Sequence, residues 1–380
     1  MSRLRGPGKR GLPTRLRRAR SVLIYWREGE LAFENYLTRS FITAERVTVE
    51  ILDFFDNLRP PEDLLAGFPG FTPESVRRSV RALVRAGFLV REGSPQARQD
   101  QTLSEVWKNW LPQASFHFST KDTPFIPPDE WPQVAKQFLA ESAPPSPFKT
   151  YPRRSSLALP RVAPREDAFS RALLARKTHR EFSGAPVSKS AIGELLHYTW
   201  GAQGQVMSPT FGPLVHKTSP SGGARHPGEV YLVALDIEGL KPGTYHYHPR
   251  DHVLERVAPA ISRARLLQYA AGQQHVADAS AVFLMTASFP RSMWKYRSPR
   301  AYRVVTLDAG HLAQTFCLVA TWLGLAPFTT AALKDTAVEA ALGLDGITES
   351  VLYLVGVGMP QIATATGLEG ASSPRRRPSN

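Results

Sequence analysis

Apolar residues recur at helical spacing over residues 46–58, at Val47, Val49, Ile51, Leu52, Phe54, Phe55 and Leu58, and Pro60–Pro61 ends the run because proline has no amide hydrogen to donate. A short second helix is predicted near residues 62–68. The third has clear ends. Thr72 fits the N-cap, Pro73 the first turn, and Glu74 the positive end of the helix. Val76, Val80, Leu83 and Val84 form its apolar face, Gly87 closes it, and Phe88-Leu89-Val90 reads as a strand.

Three helices followed by a strand resemble a winged helix-turn-helix. That scaffold serves DNA binding, with Arg77, Arg78, Arg81 and Arg85 facing phosphates. It also serves peptide docking or assembly, and the arginines are equally consistent with a solvated helix face. Docking is the reading favoured here, because the module is joined to an enzyme-like segment. Residues 101–140 follow, rich in aromatics (Trp107, Trp110, Phe116, Phe118, Phe125, Trp131) of the kind that pack a core. Pro144, Pro145, Pro147, Pro152, Pro160 and Pro164 then mark an extended linker.

From residue 166 the pattern changes. Helices are predicted over 167–175 and 188–200, the second capped by Ser188 with Ile192, Leu195 and Leu196 on its apolar face. Alternation over 229–236 puts Val230, Leu232 and Ala234 on one side of a strand, and 244–247 with 253–257 read as a hairpin. Residues 281–286 form a short apolar strand, 307–323 a long buried helix, and 351–357 the last strand. The mixture lacks a βαβ rhythm, so an α+β fold is expected. No GxGxxG opens a helix after a strand, and there is no P-loop.

The net charge of +14 is concentrated at the ends. Residues 1–20 hold eight Lys or Arg and no acid, and the tail carries Arg375, Arg376 and Arg377. Such blocks are expected to be solvated and disordered. The domains expected are thus a basic arm (1–20), a winged-helix-like part with its aromatic extension (21–142), the linker (143–165), an α+β domain (166–365) and a basic tail (366–380). The single cysteine, Cys317, excludes an intramolecular disulfide or a multi-cysteine metal site. It is expected to be a buried thiol, and a reducing, cytoplasmic setting is the default. No apolar run is read as membrane-spanning, and the short stretch Val22 to Trp26 is not read as an export signal.

Three constellations carry chemistry. In Arg176-Lys177-Thr178-His179-Arg180, two guanidinium groups and a hydroxyl suit a phosphate. In Ser219-Pro220-Ser221-Gly222-Gly223-Ala224-Arg225-His226-Pro227, the glycines permit close approach to a flat ligand or positive φ. The pair Lys295-Tyr296, followed by Asp308-Ala309-Gly310-His311, suits proton transfer when shielded from water. Asp308 and His311 are candidates to orient that pair, and Asp308 is also a candidate helix cap. His246, His248 and His252 lack an evident third metal ligand and are assigned to the hairpin surface, so no metal is expected.

In this order, and with Gly243-Thr244-Tyr245-His246-Tyr247 between them, the three constellations resemble the SagB-type branch of the nitroreductase-like flavoenzymes over residues 166–360. The resemblance implies a mixed, mostly antiparallel sheet with flanking helices that binds FMN as a homodimer. It also implies oxidation of thiazolines or oxazolines to azoles in a ribosomally made precursor peptide, beside a cyclodehydratase partner. Under it, Arg176, Thr178 and Arg180 hold the FMN phosphate or ribityl chain, and Ser221, Gly222 and Gly223 lie along the isoalloxazine. Lys295 and Tyr296 help remove the ring proton while a hydride passes to flavin N5. The sequence departs from many nitroreductase-like proteins in having no Lys or Arg in Val355–Gln361. Two rival readings keep the flavin: reduction of a quinone, nitroaromatic or other peptide substrate, and a flavin-sensing DNA-binding regulator with salt-dependent duplex binding. Nucleic acid and membrane are not expected partners.

Overall fold

The computed structural model describes residues 15–149, 159–160, 163 and 165–361. The basic arm through residue 14, much of the proline-rich stretch and the basic tail lie outside the described residues. The chain divides into two compact units. One holds Thr123 and the described residues before it, with Ser288–Val305 and Asp345–Ser350; the other holds Pro124–Ala287, Thr306–Leu344 and the residues from Val351 on. This division differs from a single cut at 143–165, because two later segments of the chain pack with the N-terminal elements.

The first unit begins with strand Leu16–Arg18, followed by an antiparallel meander of Val22–Arg27, Glu30–Asn35 and Ser40–Thr43. The apolar stretch Val22 to Trp26 is thus a strand. Its hairpin turns on Glu28 and Gly29, at φ 52° and 85°, a two-residue connection with both residues left-handed. Residues 15–20, which charge alone assigns to a disordered arm, are structured. Buried Asp100 accepts from Arg17 at 2.6 Å and from the backbone N–H of Arg20 and Ser21. These donors offset the cost of taking a carboxylate out of water.

The predicted helices follow at Val47–Phe54, Leu64–Gly67 and Pro73–Arg85. The Thr72 hydroxyl accepts from the Ser75 N–H at 3.2 Å, which fixes the start of the third. Phe33, Leu52, Phe55, Leu64, Val80, Leu83 and Phe88 close one core, while Arg77, Arg78, Arg81 and Arg85 are exposed. Strand Leu89–Arg91 pairs antiparallel with Leu16–Arg18, and helices Pro95–Val106 and Leu111–Ser119 come next. Of the aromatics expected to pack, Trp107, Trp110 and Phe118 are buried, whereas Phe116, Phe125 and Trp131 are exposed. Trp131 opens a helix, Trp131–Glu141, that buries none of its residues.

The second unit is organised on a six-stranded sheet in the order Val253–Ala258, Gly243–His248, Gly228–Ala234, Ala281–Ser288, Glu349–Gly358, Ala326–Thr330. The hairpin, its pairing with Gly228–Ala234, the next pair and the edge pair are all antiparallel. Alternation splits the central strand between two cores. Val230, Leu232 and Ala234 face Ile192, Leu196, Trp200, Phe316 and Ala320, and Tyr231 and Val233 face Leu266, Val276 and Val338. Ser188 caps its helix as predicted, and Asp167 caps the helix before it, each accepting from the N–H three residues on. The edge strand Ala326–Thr330 and the hairpin Gly204–Ser208/Gly212–His216 have no period-two apolar signal and escape a sequence reading.

The long helix runs Ala301–Trp322 and is less buried than its composition predicts: Leu307 and Trp322 are 60% and 50% exposed. Among the described residues it is the one helix long and apolar enough to cross a membrane, contrary to the expectation that no segment is. Leu312, Phe316, Cys317 and Ala320 are nonetheless buried in the core against the sheet.

Candidate functional site

The glycine loop rests on the long helix. The Ser221 hydroxyl donates to Asp308 Oδ2 at 2.5 Å, and Asp308 Oδ1 lies 3.4 Å from the Gly222 N–H. Two turns further along the helix, Ser219 Oγ and Thr315 Oγ1 share a hydrogen bond at 2.7 Å. Ser221 Oγ also accepts from the His226 N–H at 2.9 Å. The loop backbone is tightly wound: Gly223, Ala224 and His226 have φ of 60°, 53° and 44°. A left-handed glycine is unstrained, but Ala224 and His226 carry a cost that the anchored loop offsets.

Asp308 therefore lies inside the helix rather than at its cap; its hydrogen-bond partners among the described residues belong to the glycine loop, and the charge of His311 also acts on it. Burial raises its pKa, and the bonds from Ser221 and Gly222 oppose that rise. The single hydroxyl proton of Ser221 is committed to Asp308, so Ser221 shapes the loop. His226 is pushed down to about 4, first by burial and then by the charge of Lys217, with its ring bonded to the Val215 carbonyl at 2.9 Å. Lys217 and Arg225 thus give this loop a positive surround.

Arg176 ends the helix Ala168–Ala175, is half-buried, and acts on the Cys317 thiol of the long helix. Burial pushes that thiol up to about 11 and Arg176 opposes the rise; Cys317 is a buried thiol, as expected. Thr178 and Arg180 are exposed, and Arg180 lies near enough to His275 to lower its pKa further, after burial. The backbone here is strapped to the sheet end. The His179 N–H bonds to the Pro327 carbonyl, the Ser183 N–H bonds to the Met359 carbonyl, and Phe182 bridges Pro360. Phe182 fills the space a Cβ at Gly358 would need.

The structure thus brings Ser219, Ser221 and Gly222 against the long helix, at Thr315 and Asp308, with Arg176 near enough to Cys317 to act on its thiol. Of these, Thr315 carries no sequence signal beyond being a polar residue in an apolar helix. These residues fit a flavin phosphate in one respect that the structure itself shows. Neither Arg176 nor Arg180 has an ion pair or side-chain hydrogen bond among the described residues. A half-buried guanidinium without an anion is suited to receiving one. Two clefts in this unit, of ≈ 620 and ≈ 360 Å³, are lined by other residues.

Lys295 and Tyr296 belong to the other unit. Lys295 ends the helix Phe289–Lys295, and its ammonium is 5.5 Å from the Tyr296 ring centroid. Both are partly buried. His311 is exposed. In the hairpin, His246 lies between two carboxylates, with Nε2 3.0 Å from Glu229 and Nδ1 2.8 Å from Glu255. The hydrogen bond to Glu229, and then that to Glu255, raises the pKa of the ring, and among the described residues no group of three His, Cys, Asp or Glu is arranged to bind a metal.

The nitroreductase family profile matches residues 173–359. The trifolitoxin-processing protein TfxB of Rhizobium leguminosarum bv. trifolii is 30% identical over 329 residues, covering 82% of this chain and 87% of that protein. The microcin B17-processing protein McbC of Escherichia coli is 31% identical over 145 residues, 37% of this chain and 53% of that one. Among solved structures, the E. coli microcin synthetase McbBCD complex with truncated pro-MccB17 bound aligns with TM-score 0.47 and 22% identity over 67% of this chain and 96% of that one. The chain belongs to the nitroreductase family, and its α+β sheet with flanking helices is the nitroreductase-like fold.

Proposed function

We propose that this protein is an FMN-dependent dehydrogenase that oxidises thiazolines or oxazolines to azoles in a ribosomally made precursor peptide. The observation that carries this reading is the extent of the likeness to TfxB. Its 329 aligned residues run far beyond the family match at 173–359, so the likeness to a peptide-processing protein includes sequence outside the flavin domain.

The residues support the chemistry. Arg176, Thr178 and Arg180 would hold the FMN phosphate or ribityl chain, and Ser221, Gly222 and Gly223 would line the ring system. Bound FMN supplies a two-electron acceptor. Aromatising an azoline removes one proton and one hydride from the ring, so the protein must provide a base beside the acceptor. Lys295 and Tyr296 are the candidates for moving that proton. The reading includes a homodimer, supported by exposed Phe169, Leu173 and Leu174 on one short helix. It also includes a cyclodehydratase partner, because the azoline must first be made by loss of water from a peptide.

The test is direct. The purified protein is expected to be yellow and to convert a synthetic peptide bearing one thiazoline to its thiazole. Lys295→Ala and Tyr296→Phe are expected to retain FMN and lose at least about 100-fold in rate. A colourless protein that takes up no FMN, or two variants with full activity, would sink the reading.

A further inference from the structure

Lys295 ends, and Tyr296 caps, a seven-residue helix, too short to be stable alone. What holds it comes from the aromatic stretch of the N-terminal part, within the same unit. Phe289 is fully buried and packs edge to face on Trp107, with ring centroids 4.7 Å apart. The Trp110 indole N–H donates to the Tyr296 carbonyl at 2.9 Å, and the Trp107 indole N–H donates to the Ile347 carbonyl at 3.0 Å. Both indoles are fully buried, so each N–H depends on its one acceptor. The Tyr296 N–H is bonded to Ser292 O at 2.9 Å. The peptide units flanking Tyr296 are therefore fixed on both sides, one by its own helix and one by Trp110. Behind it, Tyr302 packs against Trp107, Trp110 and Phe289 and bonds His117 Nδ1 at 3.0 Å.

We propose that Trp110 is a positioning residue for the Lys295–Tyr296 pair, and that the aromatic extension 107–118 is part of the catalytic machinery and not a detachable docking module. This rests on the assignment of Lys295 and Tyr296 to proton transfer. The physical reason is geometric. A general base must hold its proton-bearing atom within hydrogen-bond reach of the substrate, and the indole clamps the carbonyl of Tyr296, one residue beyond Lys295. Misplacement by about 1 Å costs on the order of 100-fold in rate.

The experiment uses the full-length, FMN-loaded protein with the single-thiazoline peptide as probe. Trp110→Phe keeps the aromatic packing and removes the N–H. It is expected to retain the FMN content and visible spectrum, to leave KM within about twofold, to lower kcat by about 10- to 100-fold, and to shift the pH–rate profile. Hydrogen exchange over residues 289–297 of the variant is expected to quicken about 2- to 10-fold, the range for one lost hydrogen bond. A variant-free measurement stands beside it: in the wild-type protein, 289–297 and 107–118 are expected to open as one cooperative unit in native-state exchange. If Lys295→Ala and Tyr296→Phe are inactive while Trp110→Phe has wild-type kcat and pH profile, the positioning proposal alone fails. Independent opening of the two segments overturns it as well. If Lys295→Ala and Tyr296→Phe keep full rate, the assignment of the pair fails and takes this proposal with it.

Discussion

Ser221 gives its hydroxyl proton to Asp308, 87 residues away in sequence and 2.5 Å away in space. The bond fastens a strained glycine loop to the long helix through a buried carboxylate. Asp308→Ala removes the acceptor for both Ser221 and the Gly222 N–H. A hydrogen bond to a charged group is worth about 1.5–3 kcal/mol, so FMN affinity is expected to fall about 10- to 100-fold. Fluorescence titration of the apoprotein with FMN measures it, and unchanged affinity would mean that the loop does not form the flavin site.

Arg176 and Arg180 are expected to dominate anion binding. Each alanine replacement is predicted to weaken FMN at least about tenfold, since a charge-assisted bond is lost. Arg180→Ala should leave fold stability within about 0.5 kcal/mol, as it removes an exposed side chain with no ion pair among the described residues. Arg176→Lys should recover only part of the affinity, because an ammonium lacks the planar fork. Equal FMN affinity across all three variants would count against the assignment.

His117 is an acid-sensitive point. Its ring is stacked on Trp107 and its Nε2 has no hydrogen-bond partner among the described residues. Burial, with the charge of Lys121, pushes its pKa down to about 3 from 6.5. The folded state therefore keeps the ring neutral where the unfolded chain protonates it. Stability is full above pH 6.5 and is lost as pH falls toward 3, by at most about 1.4 kcal/mol per pH unit. Urea midpoints for the first unit, followed by tryptophan fluorescence, should drop across that window, and His117→Phe should flatten the dependence. A wild-type profile in the variant would argue that other groups cause the acid loss.

His246 responds in the opposite direction. Hydrogen bonding to Glu229, and then to Glu255, raises its pKa above 6.5 against the effect of burial. A raised folded value means that stabilisation is complete below pH 6.5 and disappears as pH climbs through the folded pKa. The melting temperature of the wild type should decline over that range, and Glu229→Gln should lessen the decline. NMR titration of the His246 ring reports the same event, and a midpoint at or below 6.5 would contradict it.

Some of this protein is legible in its sequence because the rules involved are local. Thr72, Asp167 and Ser188 cap helices by reaching an N–H three residues on, and alternation marks Gly228–Ala234 as a strand with two apolar faces. The turn at Glu28–Gly29 was equally local, yet the preceding apolar run lacks the alternation that would have flagged its strand. The edge strand Ala326–Thr330 owes its state to its pairing with Glu349–Gly358, where Phe328 occupies the space left by Gly356.

By itself the sequence determined the capped helices, the alternating strands and the glycine loop, and it marked candidate residues for flavin and proton chemistry, because residue type and short spacing fix those. The tertiary structure decided their partners. It gave Asp308 to Ser221 instead of to a helix cap, and it placed Lys295 and Tyr296 in the N-terminal unit, with Trp110 bonded to Tyr296 across 186 residues. Each is a single long-range bond between polar groups. Such bonds are made wherever burial leaves a donor and an acceptor no alternative, and they leave no periodic trace along the chain.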